Sequence, residues 1–173
     1  GYFVDVYLSA QLHDPRIVAG ALIGFGLLLF IADRLGLTVR RIEHMSWGSA
    51  LAIGVFQCLA FIPGASRMGT GMTIARLMGF ERPDAARFSL LLSIPVIAGA
   101  GLYRGWALLR AADPIVLQRA GLVTALSAVA GFLAIAFLMY WVRRASFTPF
   151  VVYRVALGLV VFYLLYLAGG FGC

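Results

Sequence analysis

The residues best suited to chemistry lie in one stretch, "PGASRMGTGMT", Pro63 to Thr73, set between two apolar runs. Its only charge is Arg67. A guanidinium fork matches two phosphate oxygens at once, and phosphoryl transfer asks a protein chiefly for positioning and for positive charge around those oxygens. Gly64, Gly69 and Gly71 let the backbone turn and approach a ligand, while Ser66 and Thr70 offer hydroxyl donors. A helix starting near Met68 would aim its free N–H groups at the same point. These are the parts of a phosphate cradle. Ser66 reads as a nucleophile, as a hydrogen-bond donor or as a cap for that helix, because a serine nucleophile needs an adjacent base and neither His13 nor His44 lies in the segment. The glycines also read as small residues for tight helix packing.

The elements around this stretch are set by hydropathy. Of 173 residues, 62% are hydrophobic and 12% charged, and the mean hydropathy is +0.97. A soluble domain is about half apolar and one quarter charged, so the pattern predicts an all-α integral membrane protein. Four runs are long enough to cross a bilayer: about 17–36, about 84–108 with Pro95 inside, about 115–142 and about 149–170. The segment from Trp47 to Phe80 is broken by Pro63 and Gly64 into two pieces too short to span alone. Irregular backbone survives at membrane depth only when buried in protein or facing a wet cavity, so this segment predicts a re-entrant hairpin over about 47–80, its tip being the cradle. One continuous helix kinked at Pro63 is the alternative. The whole chain, 1–173, reads as a single membrane domain.

All fourteen basic residues are arginines, and the net charge is +7. They punctuate apolar runs and form no cluster of the kind that binds nucleic acid. If both ends of the hairpin face one side, eight arginines (Arg34, Arg40, Arg41, Arg76, Arg82, Arg87, Arg143 and Arg144) fall there against four on the other, which makes the first side cytoplasmic. Glu81 and Asp84 are the expected salt-bridge partners of Arg76, Arg82 and Arg87, with Asp84 capping the helix after Pro83. Arg154 is expected to snorkel to the cytoplasmic interface or to pair with a buried group. Cys58 and Cys173 form no disulfide or metal spacing, His13 and His44 fall in loops, and no signal-peptide pattern opens the chain.

Residues 53–97, "IGVFQCLAFIPGASRMGTGMTIARLMGFERPDAARFSLLLSIPVI", closely resemble the second signature region of the bacterial undecaprenyl pyrophosphate phosphatase family, and "ASFTPFVVYR", residues 145–154, resembles a later family segment. The resemblance implies a membrane hydrolase that converts undecaprenyl diphosphate to undecaprenyl phosphate and inorganic phosphate, recycling the lipid carrier of cell-wall synthesis. It implies an inverted-repeat fold in the bacterial inner membrane, a site open to the periplasm or cell exterior, a divalent cation (Mg or Ca) and room for a homodimer. By position, Ser66 and Arg67 stand at the family's serine and essential arginine, and Pro63, Gly64, Ala65, Gly69 and Thr70 form the substrate loop. Gln57 looks like the counterpart of a first-repeat glutamate.

Two departures qualify this. Met68 replaces the usual serine after the arginine, leaving Thr70 or Thr73 to serve in its place, and the glutamate-rich first signature with its histidine loop is absent from these 173 residues. The seven acids all fall at predicted helix ends. The expectation is therefore a phosphate-clamping piece, inactive alone, of a longer enzyme whose metal and acid/base groups lie elsewhere. A transporter or flippase of an isoprenoid phosphate is the rival class, because broken helices with an arginine at mid-membrane also describe an anion-transport site.

Overall fold

The computed structural model describes residues 14–110 and 114–167. His13, Asp5, Asp113 and Cys173, which the sequence reading places in loops or at helix ends and termini, lie outside that range. Among the described residues six helices follow one another: α1 (Pro15–Leu35), α2 (Trp47–Gln57), α3 (Arg67–Leu77), α4 (Arg82–Arg110), α5 (Pro114–Val142) and α6 (Thr148–Leu167). Short 3-10 turns cover Ile42–His44 and Cys58–Phe61. No strand forms among the described residues; one isolated bridge joins Arg40 to Phe80. Helices α1, α4, α5 and α6 are long and apolar enough to span a membrane, and the described bounds fall within three residues of those expected from hydropathy. Their outer faces carry bare apolar side chains, among them Leu126 at 71% and Phe132 at 74% exposure on α5. Such faces suit a hydrocarbon surrounding.

Helix starts follow from local chemistry. Asp14 accepts a hydrogen bond from the Arg16 N–H with Pro15 opening α1, Ser46 accepts from the Ser49 N–H ahead of α2, and Ser66 accepts from the Gly69 N–H ahead of α3. The segment from Trp47 to Phe80 is not one helix. α2 ends at Gln57, the chain tightens into the 3-10 turn, and residues 62–66 are irregular before α3 begins. Gly64 sits at φ +91°, and a Cβ there would stand 2.5 Å from the Val18 carbonyl oxygen. Only glycine fits that turn against α1.

The helix pair is tied at the end opposite this tip. Val39 and Arg40 N–H groups donate to the Gly79 carbonyl, the Glu81 N–H donates to the Arg40 carbonyl, and the Ile42 N–H donates to the Asp84 carboxylate. Helix α3 packs on α1, α2 and α4. One apolar cluster (Leu29, Met72, Ala86, Leu138, Val142, Phe147 and Val151) lies on one side of it and a second (Ile53, Ala75, Phe80 and Ala85) on the other. Gly71 meets Ser89 of α4 so closely that any side chain would collide with it, which is the packing role of small residues between membrane helices.

Asp33 is the electrostatic centre of the tied end. It is 4% exposed. Its Oδ1 lies 2.7 Å from the Arg82 Nε and 3.2 Å from the Arg76 Nε, and its Oδ2 accepts from the Phe147 N–H. Arg76, 1% exposed, also donates to the carbonyls of Phe80, Asp33 and Gly36. The expected partners of Arg76 and Arg82 were Glu81 and Asp84; these acids instead bind Arg41 and the Ile42 N–H. The reason is geometric: folding the hairpin back brings the end of α1 closer to α3 than the chain-adjacent acids can reach. Asp84 likewise does not cap α4, whose first turn already begins at Arg82.

Candidate active site

The tip is built from the start of α3. Ser66 carries φ +66° and ψ +112°, and it alone among described non-glycine residues has positive φ. Such a conformation costs roughly 1–3 kcal/mol and is characteristic of ligand-gripping loops. Its hydroxyl oxygen caps the Gly69 N–H at 3.2 Å, which leaves the hydroxyl proton able to donate. Capping and ligand binding are thus compatible at one side chain.

Ser66 and Arg67 turn away from each other. Ser66 lines a cavity of about 410 Å³ with Gly69, Met72, Leu138, Phe150 and Arg154. Arg67 lines a smaller cavity of about 160 Å³ with Gln57, Cys58, Phe61 and Val96. Gln57, three turns of chain earlier, is therefore placed beside Arg67, and its side-chain amide donates to the Ser93 hydroxyl of α4. Pro63 and Gly64 form the turn, and Ala65 is fully buried beneath it.

Thr70 and Thr73 do not open toward a ligand. The Thr70 hydroxyl donates to the Arg67 carbonyl at 3.0 Å and the Thr73 hydroxyl to the Gly69 carbonyl at 2.7 Å, both within α3. Both side chains are buried. Neither hydroxyl, then, stands in for the serine that Met68 replaces; Met68 packs with the apolar cluster and lines the larger cavity.

Of the two placements the sequence allows for Arg154, snorkelling or pairing with a buried group, the structure takes the second. Arg154 is 8% exposed and its Nη2 donates to the Gly64 carbonyl at 2.7 Å and the Ala65 carbonyl at 2.9 Å. A Cβ on Gly69 would come within 2.6 Å of its Nη1, so Gly69 leaves room for a guanidinium. A second cation thus holds the tip from the α6 side. The sequence signal is its depth, seven residues into an apolar helix, where a charge carries function by default.

Arg154→Met is expected to separate folding from function. The variant removes a buried cation that has no carboxylate partner among the described residues, so its stability to thermal unfolding in detergent should fall little, by about 1–2 kcal/mol, since two carbonyls lose donors while a desolvated charge is also lost. Phosphate binding at the tip, followed by calorimetry, should weaken by about tenfold or more because the loop loses its clamp. A midpoint loss as large as that of a core deletion would show Arg154 to be mainly structural.

The two cavities are lined by two guanidinium groups and by no carboxylate or histidine, and no group of three metal-ligating side chains occurs among the described residues. That donor set repels a divalent cation, so these residues do not fit one. What they fit is an oxyanion.

The chain matches the family model described as bacitracin resistance protein BacA over residues 1–160. It is 50% identical over 145 residues to undecaprenyl-diphosphatase 1 of Rhodospirillum rubrum, covering 84% of this chain and 51% of that relative. It is 47% identical over 172 residues to the undecaprenyl-diphosphatase of Desulforudis audaxviator, covering 98% of this chain and 64% of the relative, and 46% identical to that of Maricaulis maris, covering 93% and 61%. The chain therefore spans about half to two thirds of the length of the curated relatives it matches. With a family model matched over nearly its whole length, the tip motif inside that match and four apolar spans around it, this multi-pass membrane chain belongs to the bacitracin resistance protein BacA family.

Proposed function

We propose that this chain carries the phosphate-holding part of an enzyme that hydrolyses undecaprenyl diphosphate. Water adds to the terminal phosphorus, the bridging P–O bond breaks, and undecaprenyl phosphate and inorganic phosphate leave. The observation that carries the reading is the tip itself: Arg67 and a strained Ser66 flank the N-terminus of α3 between apolar helices, each lining its own cavity, where fixed donors can meet an oxyanion. The names of the relatives point to the same substrate.

In this reading Arg67 binds the terminal phosphate with its fork and draws off charge as the bridging bond lengthens. Ser66 donates its hydroxyl proton to a phosphate oxygen, its oxygen remaining the cap of the Gly69 N–H. Pro63, Gly64 and Ala65 shape the loop, and Gln57 steadies the Arg67 side. The relatives' name implies a reaction that the resemblance pairs with magnesium or calcium; no carboxylate to hold such a cation lines either cavity. By arginine distribution the site faces the periplasm or exterior of the inner membrane. Homodimer formation belongs to the same reading and rests on the resemblance alone.

The test joins this chain to the part of the Desulforudis audaxviator relative that it does not cover, and measures phosphate release from undecaprenyl diphosphate in detergent with magnesium or calcium. Release by the joined protein supports the reading. A folded joined protein that releases none would overturn it, and passage of intact diphosphate across vesicles would put transport in its place.

A further inference from the structure

Ser66 and Arg67 are neighbours in sequence, yet they face different cavities on either side of the α3 start. The larger one differs in character from the smaller. Its walls are Leu22 and Leu29 of α1, Met72 of α3, Ile135 and Leu138 of α5, and Phe150 of α6. Seven residues separate Leu22 from Leu29, so the slot runs on the order of 10 Å along α1. Apart from the Tyr153 phenol, its polar side chains are Ser66 and Arg154, which meet around Gly69. One apolar slot with a hydroxyl and a cation gathered at a single place matches an amphiphile with an anionic head.

Arg154 supplies an independent sign of a ligand. It is more than nine-tenths buried, its Nη2 is used by the tip carbonyls, and its Nε has no hydrogen-bond partner. A desolvated cation with spare N–H groups and no carboxylate at hand is incomplete until an anion arrives.

Resting on the phosphatase reading above, we propose that this slot seats the isoprene units of the lipid that follow the first, and that the head group bridges the α3 N-terminus. The lipid-proximal phosphate then lies on Ser66 and Arg154, and the terminal phosphate, the one released, lies on Arg67 in the smaller cavity. Two cations on opposite sides of one helix start thereby distinguish the two phosphates, and the apolar slot measures the chain attached to one of them. The slot is where selectivity for a long lipid resides.

The experiment uses the joined protein and compares undecaprenyl diphosphate with isopentenyl diphosphate. Ala134 of α5 also lines the slot, so Ala134→Trp and Leu22→Trp fill it from two different helices, and Val129→Trp, on the exposed face of α5, is the control. The slot variants are expected to raise KM for undecaprenyl diphosphate about tenfold or more while leaving kcat/KM for isopentenyl diphosphate within about twofold of wild type, and the control to change neither. Equal losses on both substrates, or no change on either, would overturn the slot; equal losses together with a lower thermal midpoint would show that a protein segment fills it. If the unsubstituted joined protein hydrolyses neither substrate, the phosphatase reading fails and the slot is judged by binding alone. In that case stabilisation by undecaprenyl phosphate, present in wild type and lost in both slot variants, supports it, and stabilisation equal in all of them rejects it.

Discussion

Asp33→Ala should destabilise the protein by about 3–5 kcal/mol, the largest effect of any single substitution at the tied end, because it strands a buried arginine. Arg76 and Asp33 are 1% and 3% exposed at the side chain, so water cannot replace the lost carboxylate. The same carboxylate holds Arg82 at the start of α4 and the Phe147 N–H ahead of α6. Helices α3 and α4 and the start of α6 all depend on this one anion of α1, and they loosen together. Thermal unfolding in detergent should show a midpoint lower by roughly 10 °C. The double variant Asp33→Ala/Arg76→Met should recover part of that loss, since an apolar replacement of both partners removes the stranded charge. A double variant as unstable as the sum of its parts would show that the two residues are not coupled.

Arg67→Ala is expected to lower phosphate release by the joined protein about 10³-fold, the scale at which arginine stabilises a transferring phosphoryl group. The fold should survive, because Arg67 is half-exposed at the start of α3 and forms no salt bridge among the described residues. Arg67→Lys keeps the charge and loses the fork, so it should restore only a minor share of the rate. The decisive comparison is kcat against KM. A change confined to KM would make Arg67 a binding group equally engaged before and during reaction, and a loss in kcat would place it on the developing charge.

Both expectations bear on what can be read from a sequence. The spans were legible because hydropathy is a local property: twenty apolar residues announce a helix whatever lies beyond them. The broken segment was legible for the same reason, since Pro63 and Gly64 interrupt a run that is too long for one crossing and too short for two. The cap role of Ser66 also follows from its place just ahead of a helix. Pairings that fold-back creates were not legible. Arg154 reaches carbonyls 89 and 90 residues away, and Arg76 finds the Asp33 segment 43 residues away while nearer acids go elsewhere. Nor could the chain order reveal that two adjacent residues would face opposite cavities, because that depends on how α3 is rotated between α1 and α4. Proximity in sequence suggested one constellation, and the helix start divides it.

The backbone at Ser66 has a consequence for how this protein would evolve in the laboratory. A positive φ suits glycine, and glycine at a helix cap costs only a few tenths of a kcal/mol relative to serine, less than the conformational penalty that serine carries there. Heat-resistance screening of a library randomised at position 66, with no demand for turnover, should therefore enrich glycine. Growth selection that depends on recycled lipid carrier should return serine from the same pool. Which residue wins would then report what the pool was made to survive, and the distance between the two winners would measure how far chemistry holds this position from its most comfortable sequence.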